Sequence, residues 1–348
     1  TTVKVFAQYI LLLFFPAGLV TERYVKFESS PFSLVFLTSL AFLLLLLLVF
    51  IKSHKKSKIM FFSIGWFFIT LLPFSNLFPQ ITIMAERYLY LPSYGFCLLL
   101  AFFIFSIDKL KLPKLNNLNS FIERNFRIII ILVVVLITLS CSLLTIQRNT
   151  EWKDNFTLLS KTIERNPYGT RTYNALALHY LQKGDYDAAY ENALRAVELS
   201  SKNYHAYATL GTISAYRKDY EHAIDYYKKS LNLHPGFYLA SNNLGLVHSY
   251  TGDLNNSIFY LKKAIQAEPG LSKSYNDLGV VYGQLNNINE SILFISKAIE
   301  INPYEPSYYR NLAVVYKHLG DNKKANELLQ TALEVESYRK SAGDNIKN

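Results

Sequence analysis

The 348-residue chain is 51% hydrophobic and 18% charged, with a formal net charge of +10. The charge is uneven: up to residue 150, 14 Lys and Arg stand against 5 Asp and Glu, and beyond it 22 stand against 21. A near-neutral second half excludes a nucleic-acid surface, which needs a basic face, and two cysteines, Cys97 and Cys141, both within apolar runs, make no disulfide framework.

Five stretches, 3–20, 32–51, 59–78, 89–107 and 126–146, approach the roughly 20 apolar residues that a helix needs to span a bilayer. The second contains no charge. The third carries Pro73 and ends at Pro79, and a proline kinks a helix that protein packing must then tolerate. The chain starts Thr1-Thr2 and enters a membrane-length segment with no signal-peptide pattern, so a preceding N-terminal part is expected. Lys and Arg concentrate on cytoplasmic loops. The loops after the second and fourth stretches hold nine, among them Lys52, Lys55, Lys109 and Lys111, and the other loops hold Arg23, Lys26, Arg87 and Arg148. That asymmetry predicts an integral, multi-pass protein with everything after the fifth span on the extracytoplasmic side.

Between the third and fourth stretches, Glu86 and Arg87 stand side by side next to Tyr88 and Tyr90. Ionisable residues in a membrane region mark a functional site. Tyr also favours the headgroup level, so the same four residues read equally as an interface anchor.

The second half repeats every 34 residues. Tyr173, Tyr207, Ser241, Tyr275 and Tyr309 each precede a leucine by three positions: Leu176, Leu210, Leu244, Leu278 and Leu312. Small residues recur in step at Ala189, Ala223, Ser257, Ser291 and Ala325, and again at Ala196, Ser230, Ala264, Ala298 and Ala332. Pro235, Pro269 and Pro303 close the middle units. This is the tetratricopeptide pattern: Tyr and Leu fill the gap between paired helices, small residues let them approach, and Pro ends the second helix. The predicted fold is all-α, a transmembrane helical bundle over 1–147 followed by a tetratricopeptide superhelix over 148–348. About five repeats fill 170–337, residues 151–166 form an extra helix before them, and the pattern fades after Glu336 into a frayed tail.

No catalytic constellation is visible in the second half. Its histidines, His179, His205, His222, His234, His248 and His318, have no metal-ligand spacing, and no metal or cofactor site is evident. Three Asn-x-Ser/Thr patterns, at Asn155, Asn255 and Asn289, are expected by chance in an Asn-rich chain. Repeats of this type bind along the face built from their first helices. The phase of the period places Asn174, Asn242, Asn276 and Arg310 there, with Asn243, Asp277 and Asn311 one residue on. An amide offers a donor and an acceptor and so matches a peptide backbone; the competing reading is that these Asn brace neighbouring helices.

The run from Trp66 through Pro73, the segment Ala85-Glu86-Arg87-Tyr88-Leu89-Tyr90-Leu91-Pro92, and Arg148 and Trp152 leading into the repeats resemble the transmembrane-and-tetratricopeptide O-mannosyltransferase-like family, relatives of GT-C membrane glycosyltransferases. The resemblance implies a polyprenyl-phosphate-linked sugar donor on the outer side of the membrane and repeats on that side. It also implies an acidic catalytic residue or pair in an outer loop. Here the acids of that kind are Glu22, Glu28 and Glu86, which form no pair, so no catalytic residue is assigned. Two readings remain: the C-terminal region of a lipid-linked-sugar-dependent protein O-glycosyltransferase whose repeats bind a polypeptide, with Glu86, Arg87, Tyr88 and Tyr90 as donor-site candidates among membrane lipid, or a membrane-anchored interaction scaffold without chemistry.

Overall fold

The computed structural model describes residues 2–14, 33–74, 86–106 and 149–347, with scattered helical positions between 128 and 147. The loops holding Arg23, Lys26, Lys109 and Lys111, and the acids Glu22 and Glu28, lie outside the described residues, as do the side chains of Glu86 and Arg87. No strand occurs among the described residues. The chain divides into two compact units, 1–172 and 173–348.

In the first unit, α1 (Thr2–Phe14), α2 (Leu34–Lys56), α3 (Lys58–Leu71) and α4 (Tyr90–Ser106) are apolar helices. Ser33 caps α2, its Oγ accepting the Phe36 N–H at 3.2 Å. Ser57 separates α2 from α3 in extended conformation and caps α3, accepting from the Met60 N–H at 3.3 Å. Helix α3 stops at Leu71, seven residues before the end of the predicted span, because Pro73 cannot continue the ladder and the chain tightens into a 3₁₀ turn over Leu72–Phe74. Among the described residues, Leu34–Lys55 is long and apolar enough to cross a membrane, and Val3–Leu13, Lys58–Phe74 and Tyr90–Ile104 are apolar but shorter. Their common core is Val5, Tyr9, Ile10, Phe67 and Leu71.

Helix α5 (Asn155–Arg165) follows, capped by Asp154, whose Oδ1 accepts the Thr157 N–H at 2.8 Å. Five helix pairs make the superhelix: α6 (Thr170–Lys183) with α7 (Tyr186–Leu199), α8 (Tyr204–Tyr216) with α9 (Tyr220–Leu233), α10 (Tyr238–Tyr250) with α11 (Leu254–Ala267), α12 (Ser272–Gln284) with α13 (Ile288–Ile301), and α14 (Pro306–His318) with α15 (Asn322–Lys347). All five predicted leucines and all ten predicted small residues are buried. The turn inside each pair is the same. Its central residue takes a left-handed conformation at Gly184, Lys218, Gly252, Asn286 and Gly320, with φ between 61° and 83°. The Asp that follows in four of the five turns (Asp185, Asp219, Asp253, Asp321) caps the second helix, each Oδ1 accepting a backbone N–H at 3.0–3.3 Å. Helix α15 continues to Lys347 and does not fray near Glu336.

Candidate functional site

The two parts of the membrane motif meet. Trp66 of α3 donates its indole N–H to the Leu91 carbonyl at 2.9 Å and sits edge-on to Tyr94 at 5.8 Å. Gly95 permits this approach, since a Cβ there would lie 2.5 Å from the Ser63 carbonyl oxygen. Tyr88, half-buried, stacks on Phe74 at 4.4 Å across the proline turn, whereas Tyr90 is 83% exposed. The backbone of Glu86–Leu89 forms a 3₁₀ turn. The aromatic packing therefore anchors the turn that carries Glu86 and Arg87. Between α1, α2, α3 and α4 lies an apolar cavity of about 210 Å³ lined by Ile10, Phe42, Phe67 and Phe96, among others.

In the superhelix, the first helices of successive repeats face one another and carry the predicted amide row. Asn242 and Asn276 are buried, and both ends of each amide are occupied. Asn242 Nδ2 donates to Asp277 Oδ2 at 3.1 Å and its Oδ1 accepts from Ser274 Oγ at 2.6 Å. Asn276 Nδ2 donates to Asp277 Oδ1 at 3.2 Å, and its Oδ1 accepts from Asn311 Nδ2 at 2.9 Å. These bonds bridge α10, α12 and α14. Asn243 is half-buried and interacts with the Tyr227 hydroxyl, whose pKa burial pushes up to about 12. Asn174 is half-buried with an unpartnered, buried Oδ1. Arg310 is drawn away from the row into an ion pair with Glu336.

Asp277 is the centre of this network. Burial raises its carboxyl pKa, against the opposing pull of the Asn242 amide, of Lys273 and of the Asn276 amide. Next to it, between α12, α13 and α14, a cavity of about 310 Å³ is lined by Val280, Gln284, Ser291, Asn311, Val314 and His318, among others. Ser249 donates to Gln284 Oε1 at 3.0 Å. The Ser291 hydroxyl is fully buried and has no hydrogen-bond partner. Gln284, Ser291 and His318 were not singled out for this face from the sequence. The available signal was the period itself, which puts Gln284 and His318 in register with Tyr216 and Tyr250 on the first helices. Among the described residues no cluster of His, Cys, Asp or Glu could hold a metal.

Helix pairs in strict 34-residue register, with buried leucines and small residues at each contact, define a tetratricopeptide-repeat protein. The tetratricopeptide-repeat family model matches residues 170–203, 204–237, 239–270, 272–305 and 306–338. Curated relatives include the protein O-mannosyl-transferase Tmtc3 of Drosophila melanogaster, 26% identical over 163 residues, 47% of this chain and 16% of that protein. Tmtc2 of the same organism is 32% identical over 116 residues, 33% of this chain and 11% of that protein. This chain is a tetratricopeptide-repeat protein, similar over its repeats to these O-mannosyl-transferases, and its matches span about a sixth or less of those relatives' length. Among solved structures, that of MamA is similar at a TM-score of 0.42 and 23% identity, covering 48% of this chain and 97% of that one.

Proposed function

We propose that the chain is a multi-pass membrane protein that forms the C-terminal region of a lipid-linked-sugar-dependent protein O-glycosyltransferase. Its superhelix lies on the extracytoplasmic side and binds an extended polypeptide acceptor. The observation that carries the binding half is the amide network along the first helices, which ends in a cavity with polar groups left for a ligand. Membrane association is supported by one helix of spanning length and by the O-mannosyl-transferase relatives. The sugar-donor half rests on the Glu86–Tyr90 turn. A planar fork of donors such as an arginine carries suits a lipid phosphate, which makes Arg87 the candidate for the phosphate, with Tyr88 and Tyr90 as aromatic candidates for the sugar and Glu86 as the neighbouring acid.

The test is binding of a polyprenyl-phosphate sugar to the full chain in lipid nanodiscs. Arg87→Ala should lose most of the binding and Arg87→Lys an intermediate share, because a point charge does not reproduce a two-point grip. Membrane insertion should be unchanged in both. Equal donor binding by all three proteins would remove the donor site and leave a membrane-anchored interaction scaffold as the function.

A further inference from the structure

The hydrogen-bond polarity of an amide row is ambiguous in isolation. Each Asn carries one acceptor and one donor end, and a row of Asn can flip together. Ionised, Asp277 removes the ambiguity, because a carboxylate only accepts. Both of its oxygens face amides, Oδ2 at Asn242 and Oδ1 at Asn276, so both neighbours must turn their Nδ2 towards it. Asn276 is then forced to present Oδ1 to the next repeat, and Asn311 can meet it only with Nδ2. The remaining end of Asn311 is Oδ1, an acceptor, at the wall of the 310 Å³ cavity. On the same wall Gln284, with Oε1 engaged by Ser249, has Nε2 left as a donor. Ser291, its hydroxyl buried, borders the same space, and Val280 and Val314 give it apolar sides.

We propose that Asp277 is a positioning residue that sets the polarity of this relay, so that Asn311 Oδ1 and Gln284 Nε2 act as an acceptor and a donor for the N–H and C=O of one residue of an extended polypeptide, with an apolar side chain entering the cavity between the fourth and fifth repeats. This deepens the polypeptide-binding reading above and rests on it. The occupant follows from the pair of groups offered: in an extended chain a residue turns its own N–H and C=O to the same side, whatever its side chain, and an apolar pocket beside them takes an adjoining side chain. Asp277 touches no ligand in this arrangement. It acts through Asn276, one repeat boundary from the site.

The experiment uses the full chain in lipid nanodiscs and a linear peptide selected against it from a random-sequence library. Analogues of that peptide replace one backbone N–H at a time with an ester oxygen. In the native protein one position should lose about tenfold in affinity, the worth of one hydrogen bond. In Asp277→Asn one of the two flanking amides meets a donor. Asn276 can relieve this by reversing, which reverses Asn311 and presents its NH₂ to the cavity. The ester penalty at that one position should then fall to about onefold, while penalties elsewhere are unchanged; loss of packing alone would weaken amide and ester peptides equally. Asn276→Ala cuts the relay without touching the carboxylate and should also reduce the penalty, which keeps the test decisive if Asp277→Asn does not fold. An unchanged tenfold penalty in folded Asn276→Ala overturns the relay and with it the role of Asp277. If the library yields no peptide at all, the polypeptide-binding reading itself fails, an outcome distinct from the first.

Discussion

His248 occupies the position at which the next two repeats place Tyr282 and Tyr316. Its ring is buried, stacks on Tyr260 at 5.5 Å with an interplanar angle of 2°, and leaves Nε2 without a partner. Burial lowers its pKa below the usual histidine value, Asp253 pulls it up by less, and Lys228 adds to the lowering. Its Nδ1 lies 3.3 Å from Asp253 Oδ2. The sign follows from linkage. Below an unfolded-state pKa of about 6.5 the unfolded chain binds the proton more readily than the folded one, so stability is lost as the pH falls through that value. Tyr carries no charge there. His248→Tyr should remove the loss of melting temperature that His248 contributes between about pH 7.5 and 5.5. The raised pKa of Asp277 works in the opposite direction, stabilising the fold as the pH falls. It is common to both proteins and cancels in the comparison. Equal pH dependence in the two proteins would show that His248 does not titrate in this way.

At the scale of the element, the turn between paired helices is set by one backbone conformation. A Cβ built on Gly184, Gly252 or Gly320 meets nothing within 4 Å, so space is not the reason for glycine. The left-handed φ is the reason. Asn286 is tolerated there because a short polar side chain is. Lys218, with φ of 62°, holds the same conformation at a steric cost of about 1–2 kcal/mol, part of which Gly would return in unfolded-chain entropy. Lys218→Gly should therefore stabilise the superhelix by about 0.5–1 kcal/mol, and Gly252→Ala should destabilise it by about 1 kcal/mol. Urea midpoints measured on the pair decide it; a fall in the midpoint for Lys218→Gly would mean that its side chain contributes more than the turn costs.

At the scale of the molecule, the basic excess lies in the apolar half while the repeats are nearly neutral. Loop charge sets which side of a membrane a segment occupies. We expect Lys262→Cys, on the exposed surface of α11, to react with an impermeant thiol reagent on intact cells. Lys55→Cys, exposed near the end of α2, should react only after permeabilisation. Both are made with Cys97 and Cys141 replaced by serine. The reverse pattern would invert the topology and place the Glu86–Tyr90 turn and the superhelix on the cytoplasmic side.

The repeats were legible in the amino-acid order because their packing is periodic. Leu244 and Leu278 recur at the pair interface for the same local reason, so one period predicts every buried position. The uncharged run at 32–51 was legible for an equally local reason, and so was the short aromatic motif, whose residues pack on one another across Trp66 and Leu91. The length of α3 was less so, because a proline inside an apolar run can kink or end a helix, and here the chain ends it at Leu71. The face of the first helices could be assigned from phase, but not what its amides do. Sequence spacing cannot say which end of an Asn points where, nor that Arg310 turns aside to Glu336. Those choices depend on partners in another repeat, Asn242 with Asp277 and Asn276 with Asn311, each 35 positions apart. The period determined the helices and their core; only the stacking of one repeat on the next brought a single carboxylate between two amides, and with it the direction of every hydrogen bond that leads to the cavity.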